Sequence, residues 1–317
     1  MHQDATQQDS RQDDPVGPDF ACPICHGELV YGAGAADIHG HIEATASCAA
    51  CDRRFPRVDG IWRFLVDGEQ HRSFLESYRE TRRAEGWGSL DGDYLRALPD
   101  VPADDPHAWI WRIRSRSFRV LMNHLKTSPV SRAVELGAGN GWLSCRLNGA
   151  GVPMTAVDLS DDPRDGLGAH RAYGTPAPFV PVQAAFDELP APSGAWDAVI
   201  FNGSFHYAQD AGATLGEALR VLAPGGWIAV VDTPFYAAER DGQAMLDEAR
   251  DKDPRRGPSV GFLCPSRLAE VGEELGLVWQ VEKVSMGWRW QVKNRWRGLR
   301  RRRLLASFPL LIGRRRP

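Results

Sequence analysis

The sequence predicts an α/β protein with a parallel sheet and a small cysteine-rich module in front of it. Three observations lead there. From Phe118 onward, apolar runs of strand length alternate with helical patterns, and parallel strands need such crossovers. Within that region the stretch "AVELGAGNGW", Ala133 to Trp142, sets three glycines in five positions directly after a strand pattern. Ahead of it, four of the six cysteines stand as two close pairs.

Composition bounds the reading. A chain of 317 residues with 43% hydrophobic and 25% charged residues is ordinary for a globular protein of one large or two smaller domains. It has no run of 18 apolar residues, so no membrane span is expected. The first residues, "MHQDATQQDSRQDDPVGPDF", lack the apolar core of a signal peptide, and 1–19 read as a disordered polar tail. Without an export signal the expected compartment is the reducing cytoplasm, where paired cysteines bind metal rather than form disulfides.

Residues 20–66 form the next unit. Cys22-x2-Cys25 and Cys48-x2-Cys51 are separated by 22 residues. Two such knuckles suit a tetrahedral, closed, structural zinc held by four thiolates. A redox pair would leave the second knuckle without a role. His26, His39 and His41 are read as surface residues. So small a unit has little core, and the metal would supply much of its folding energy. Residues 67–117 read as a helical linker or lid rich in Arg, Asp and Trp. Tyr78, Arg79, Arg82 and Arg83 are read chiefly as a solvated helix face, with a lid over a ligand as the alternative. Trp109, Trp111 and Phe118 are read as packing residues.

Residues 118–317 carry the glycine loop. "RAVEL" reads as a buried strand and "GWLSCRLNGAG" as a helix with a glycine stop. Glycines at such a turn let a ligand approach the main chain. Gly137, Gly139 and Gly141 make G-x-G-x-G, with Glu135 two residues ahead. The dinucleotide fingerprint would require glycine where Trp142 stands, and a triphosphate loop would require a lysine that is absent. A nucleoside without a phosphate remains. The following strand, "MTAVDLS", ends in Asp158, 21 residues after Gly137, where a carboxylate meets ribose hydroxyls.

The blocks "VELGAGNG", "VDLS", "AAFDELPAPSGAWDAVIFNGSFHYAQD", "ALRVLAPGGWIAVVD" and "SRLAEVGEELGLVWQVEKV" resemble, in order and spacing, the class I S-adenosylmethionine-dependent methyltransferases of type 11. The resemblance implies a Rossmann-like sheet of seven strands, the last antiparallel. It implies that Glu135 and the Gly137–Gly141 main chain bind the methionine end of the cofactor, and that Asp158 takes the ribose with Leu159 beside the adenine. Phe186 and Asp187 would cover the adenine, and Asn202 would lie where substrate and methyl group meet. Ala185 stands where many members have an acidic residue. His206 and Tyr207 are candidates for base and substrate contact, although "HYAQD" after a strand also suits the start of a helix. The unit "CPICHGEL … CAACDRRFPRVDGIWRFL" resembles the zinc domain of methyltransferase activators, and the zinc domain at the front of 23S ribosomal RNA guanine methyltransferases.

Charge is uneven. Residues 286–317 hold eleven Arg and Lys and no acid, which leaves −14 on the rest of the chain. In the implied topology "MGWRWQVKNRWRGLRRRR" leaves the sixth strand on the ligand side of the sheet. Basic residues interleaved with Trp288, Trp290 and Trp296 can hold an anionic acceptor, including RNA through Arg289–Arg303. The acidic remainder disfavours a broad RNA footprint. The reading is therefore a methyltransferase acting on a small-molecule or metabolite-like acceptor. RNA (a ribosomal or transfer RNA base) is the alternative acceptor, and a non-catalytic partner subunit the alternative class.

Overall fold

The computed structural model describes residues 20–34, 36–37, 40–252, 259–287, 290 and 304–316. The N-terminal segment folds as β1 (Leu29–Ala33), β2 (Ala36–Asp37), β3 (Gly40–Cys48), β4 (Arg54–Val58) and β5 (Ile61–Arg63). These strands pair antiparallel in succession, with β2 a short appendix on β3. Phe20, Phe55, Trp62 and Phe64 pack among themselves with ring centroids 5.0–6.0 Å apart.

Three helices follow: α1 (Gly68–Ala84), α2 (Gly92–Ala97) and α3 (Ala108–Thr127). Asp91 caps α2 by accepting from the amides of Asp93 and Tyr94, which satisfies donors the helix leaves open. The buried Trp111, Leu121 and Leu125 of α3 lie against the sheet. This helix runs ten residues past the expected boundary at 117, because its apolar stripe continues without a breaker up to Pro129.

The remaining elements are β6 (Ala133–Leu136), α4 (Trp142–Gly149), β7 (Met154–Asp158), β8 (Val180–Gln183), β9 (Trp196–Asn202), α5 (Ala211–Val221), β10 (Leu222–Val231), α6 (Glu239–Lys252), α7 (Pro265–Leu275), β11 (Leu277–Glu282) and β12 (Leu310–Arg315). In β9 and β10 side chains alternate between two cores. Val199, Phe201, Ile228 and Val230 face Leu215, Leu219 and Leu268 of α5 and α7, whereas Ile200, Trp227 and Ala229 face α3 and α4. Such two-sided burial explains why these strands read as continuous apolar runs. No described helix is long and apolar enough to cross a membrane.

From β8 to β11 the strand order is β8-β7-β6-β9-β10-β12-β11. Five neighbours are parallel, and β12 runs antiparallel to both β10 and β11. These are the seven strands expected from the resemblance. The sheet does not stop there, which corrects that expectation: β5 adds in parallel to β8 and carries β4, β3 and β1 with it, so the path holds eleven strands. The physical reason is the open edge that β8 would otherwise present.

Polar contacts secure this junction. Arg63 donates to Asp161 Oδ2 at 2.7 Å and to Gln183 Oε1 at 3.0 Å. The Phe64 amide donates to the Gln183 carbonyl at 2.9 Å, and Asp59 pairs with Arg171 at 2.8 Å. Gly60, at φ +78, presses on the buried His170, whose Nε2 lies 2.8 Å from where a Cβ would stand. Gly60→Val is therefore expected to destabilise the protein by about 1–3 kcal/mol in denaturant titrations. His170→Ala in the same chain should recover the steric part of that loss; recovery of none would place the strain elsewhere.

Candidate functional site

The site begins at the turn between β6 and α4. Gly137, Gly139 and Gly141 have φ of +74, +55 and +77, a region that side chains other than glycine adopt at a cost. A Cβ on Gly137 would lie 2.3 Å from that of Ser204, and one on Gly141 2.3 Å from the Phe179 ring. A Cβ on Gly139 would meet only the Asp165 carbonyl oxygen, at 3.5 Å, and otherwise open space. The outer two glycines therefore permit close packing, and the middle one bares main chain.

A buried carboxyl group, Glu135, and a half-buried one, Asp158, hold this turn. Glu135 Oε2 accepts from the Ser144 amide at 3.0 Å and from its hydroxyl at 2.6 Å, and Oε1 accepts from Asn202 Nδ2 at 3.3 Å. It thereby ties the tips of β6 and β9 to the first turn of α4, and burial pushes its carboxyl up to about 7. Asp158 accepts from the Gly139 amide at 2.8 Å and from the Ser160 amide at 2.7 Å. Burial raises it as well, to about 6.

Over the turn lies a cavity of about 310 Å³. Its floor is the main chain from Gly137 to Asn140, with Asn202 and Gly203 alongside. Its walls come from Tyr78 and Arg82 of α1, Trp87, Tyr94, and Trp111 and Arg114 of α3. The face of α1 read as solvated is docked instead. Arg82 holds Asp165 through two bonds of 2.5 and 2.9 Å, Arg79 holds Asp161 at 2.8 Å, and Arg83 reaches Asp162 at 3.3 Å. The acidic loop after β7 attracts the basic helix, an attraction between distant segments that helical periodicity does not report.

Among the sequence-predicted residues, Gly137, Gly139, Asn202 and Tyr207 line the cavity. Glu135 and Asp158 lie beneath its floor, and Gly141 packs on Phe179. Leu159, Phe186, Asp187 and His206 are not among the lining residues. Phe186 stands edge-on to Phe201 at 5.8 Å and behind Gly137. The Leu159 carbonyl accepts from Gln183, and Asp187 is exposed. His206 stacks on Tyr207 at 4.2 Å, and Tyr207 meets Tyr78 edge-on at 5.6 Å. Sequence reasoning missed Trp87, Tyr94 and Arg114. In "WIWRIRSRSF" arginines recur at every second position, and nothing local says which one turns inward.

The sulfurs of Cys22, Cys25, Cys48 and Cys51 all lie within 4.8 Å of one another. Each knuckle closes on a residue with left-handed backbone: His26 donates its amide to Cys22, and Asp52 to Cys48. Four thiols converging from two knuckles fit tetrahedral zinc, a donor set that softer divalent metals favour. His39 and the side chain of His41 lie outside the described residues, as do Arg289 and 291–303 of the basic segment.

Two outcomes are expected. Cys48→Ser, or prolonged chelation, should strip bound zinc from the full chain as seen by mass-spectrometric metal analysis, and should lower the melting temperature. An unchanged metal content would remove the zinc site. The second concerns Glu135. Between pH 4.5 and 7 the unfolded chain has released a proton that the folded one retains, so this residue lowers stability as pH rises through that window. Glu135→Gln escapes the loss. Its stability relative to wild type should rise by about 1–3 kcal/mol from pH 4.5 to 7, read by urea titration; a flat difference would show that the Glu135 carboxyl titrates alike in the folded and unfolded chain.

Residues 134–230 match the family model described as a methyltransferase domain. An uncharacterized methyltransferase of Mycobacterium tuberculosis is 32% identical over 145 residues, 46% of this chain and 51% of that protein. A demethylmenaquinone methyltransferase of Beutenbergia cavernae is 32% identical over 131 residues, 40% of this chain and 50% of that one. The chain thus spans about half the length of the curated relatives it matches. Among solved structures it is similar to the YcgJ protein of Bacillus subtilis, at 16% identity and a TM-score of 0.47, over 64% of this chain and 99% of that one. The similarity to a methyltransferase domain thus lies in residues 134–230 of this chain.

Proposed function

We propose that this protein transfers the methyl group of S-adenosylmethionine to a small-molecule acceptor. The observation that carries the reading is the bare main chain of Gly137 to Asn140 as the floor of a half-open cavity, inside the segment that matches the methyltransferase domain. A volume of about 310 Å³ lies within the usual range for small-molecule sites. The demethylmenaquinone methyltransferase similarity supports a small acceptor, as does the closure of the cavity by α1 and α3. The alternative acceptor, an RNA base, draws on the basic segment Arg289–Arg303.

The residues present fit the cofactor. The Gly137–Gly141 turn receives the methionine end. Asp158 spends one hydrogen bond per oxygen on loop amides and keeps lone pairs for two ribose hydroxyls. Leu159, Phe186 and Asp187 border the adenine, and Asn202 stands at the reacting end, oriented by Glu135. When bound, S-adenosylmethionine supplies a methyl group already activated by a sulfonium. The protein then has to align the acceptor with that methyl and exclude water, a contribution on the order of 7–11 kcal/mol in favourable cases. Tyr78, Trp87, Trp111 and Tyr207 perform the exclusion. Tyr207 is the side chain placed to contact the acceptor, and His206 behind it is the group that can take a proton. The four cysteines hold a structural zinc.

Gly139→Ala discriminates this reading from a merely structural turn. The added methyl projects into the cavity and meets no packed side chain, so the fold should lose only about 1 kcal/mol. Affinity for S-adenosylhomocysteine, measured by calorimetry, should fall at least about tenfold. Equal affinity in both proteins, or none in the wild type, would refute the site. Incubation with methyl-labelled cofactor and either a metabolite extract or total RNA then assigns the acceptor; label in RNA alone would overturn the small-molecule choice.

A further inference from the structure

Of the two arginines that wall the cavity, Arg82 is committed to Asp165 through two hydrogen bonds. Arg114 is different. Its guanidinium lies 4.7 Å from the ring centre of Trp111 and 5.6 Å from that of Trp87. It makes no hydrogen bond or ion pair among the described residues. The side chain is half-buried and lines the cavity. Behind it stands Asp232, at the end of β10, with Oδ1 accepting from Ser117 at 2.6 Å and Oδ2 buried without a partner. Arg114 Nη2 and Asp232 Cβ both come within 3.8 Å of where a Cβ on Gly203 would stand.

A guanidinium beside two indole rings and the floor of the cavity, without a hydrogen-bonded protein acceptor, is a charge prepared for a ligand. Its planar fork matches a carboxylate through two parallel bonds, and the indole faces favour a cation at this place. We infer that Arg114 is the carboxylate-binding residue of this cavity. Asp91 and Asp105 on the same wall are acceptors for the ammonium that accompanies a carboxylate in an amino-acid headgroup. The inference rests on the proposed function for one source of that carboxylate, the amino-acid end of the cofactor. The other source is an acceptor that itself bears a carboxylate.

The test uses the full chain and three probes: S-adenosylhomocysteine, 5′-deoxy-5′-methylthioadenosine, which keeps the nucleoside and lacks the amino-acid end, and benzoate, titrated with and without S-adenosylhomocysteine. Wild type is compared with Arg114→Gln and Arg114→Lys, each first checked by thermal unfolding; the lysine variant keeps a cation beside the rings should the glutamine variant fail to fold. The expected result is a loss of at least about tenfold for S-adenosylhomocysteine in Arg114→Gln, a smaller loss in Arg114→Lys, and a change under about twofold for the methylthio compound. If S-adenosylhomocysteine is unaffected and benzoate binding disappears, Arg114 serves the acceptor's carboxylate. If neither changes, or both nucleosides weaken together, the inference is overturned. If the wild type takes up neither nucleoside, the proposed function fails instead, and the benzoate titration alone decides Arg114.

Discussion

One buried carboxylate organises the turn on which everything else is built. Glu135 is wholly enclosed and spends its oxygens on Ser144 and Asn202. It joins three elements that meet at the carboxyl edge of the sheet: the end of β6, the start of α4 and the end of β9. A buried carboxyl group is tolerated only when its polar atoms are satisfied, so this residue makes the local geometry nearly all-or-none. The glycines around it serve the same end. Gly137 and Gly141 let Ser204 and Phe179 come close, which leaves Gly139 as the point where the backbone faces the open cavity.

A second constraint is electrostatic and joins distant parts of the chain. Asp161, Asp162 and Asp165 follow β7 in quick succession, and Arg63, Arg79, Arg82 and Arg83 reach them from β5 and α1. Half-exposed pairs such as Arg83 with Asp162 contribute little individually. The more enclosed Arg82–Asp165 pair, with two bonds on one carboxylate, sets how α1 lies across the cavity. The cysteine-rich segment is coupled to the same loop through Arg63, and its strand β5 closes the edge of β8. The two halves therefore share one sheet and one polar junction.

Much of this was legible in order along the chain. Strand β6, the glycine turn, helix α4 and Asp158 follow from apolar runs and from glycine spacing, because those signals are local. The four cysteines could be paired by spacing alone. The residues that escaped do so for one reason. Trp87, Tyr94 and Arg114 belong to segments whose periodicity reports which side is apolar but not what lies opposite. The ribbon's entry into the main sheet escaped likewise, since three residues of β5 carry no pairing signal for a strand some 120 residues away.

By itself the sequence determined the α/β class, the place of the glycine turn, the thiol cluster and the similarity of the 134–230 segment to a methyltransferase domain. Those depend on residue types at short separations, where backbone geometry leaves few choices. Only the tertiary structure decided that the sheet continues into the cysteine-rich segment, that α1 is pinned over the cavity, and that one arginine among several in α3 faces inward without a partner. Each of these is a meeting of segments far apart in the chain, governed by edge pairing, charge complementarity and packing that no local pattern encodes.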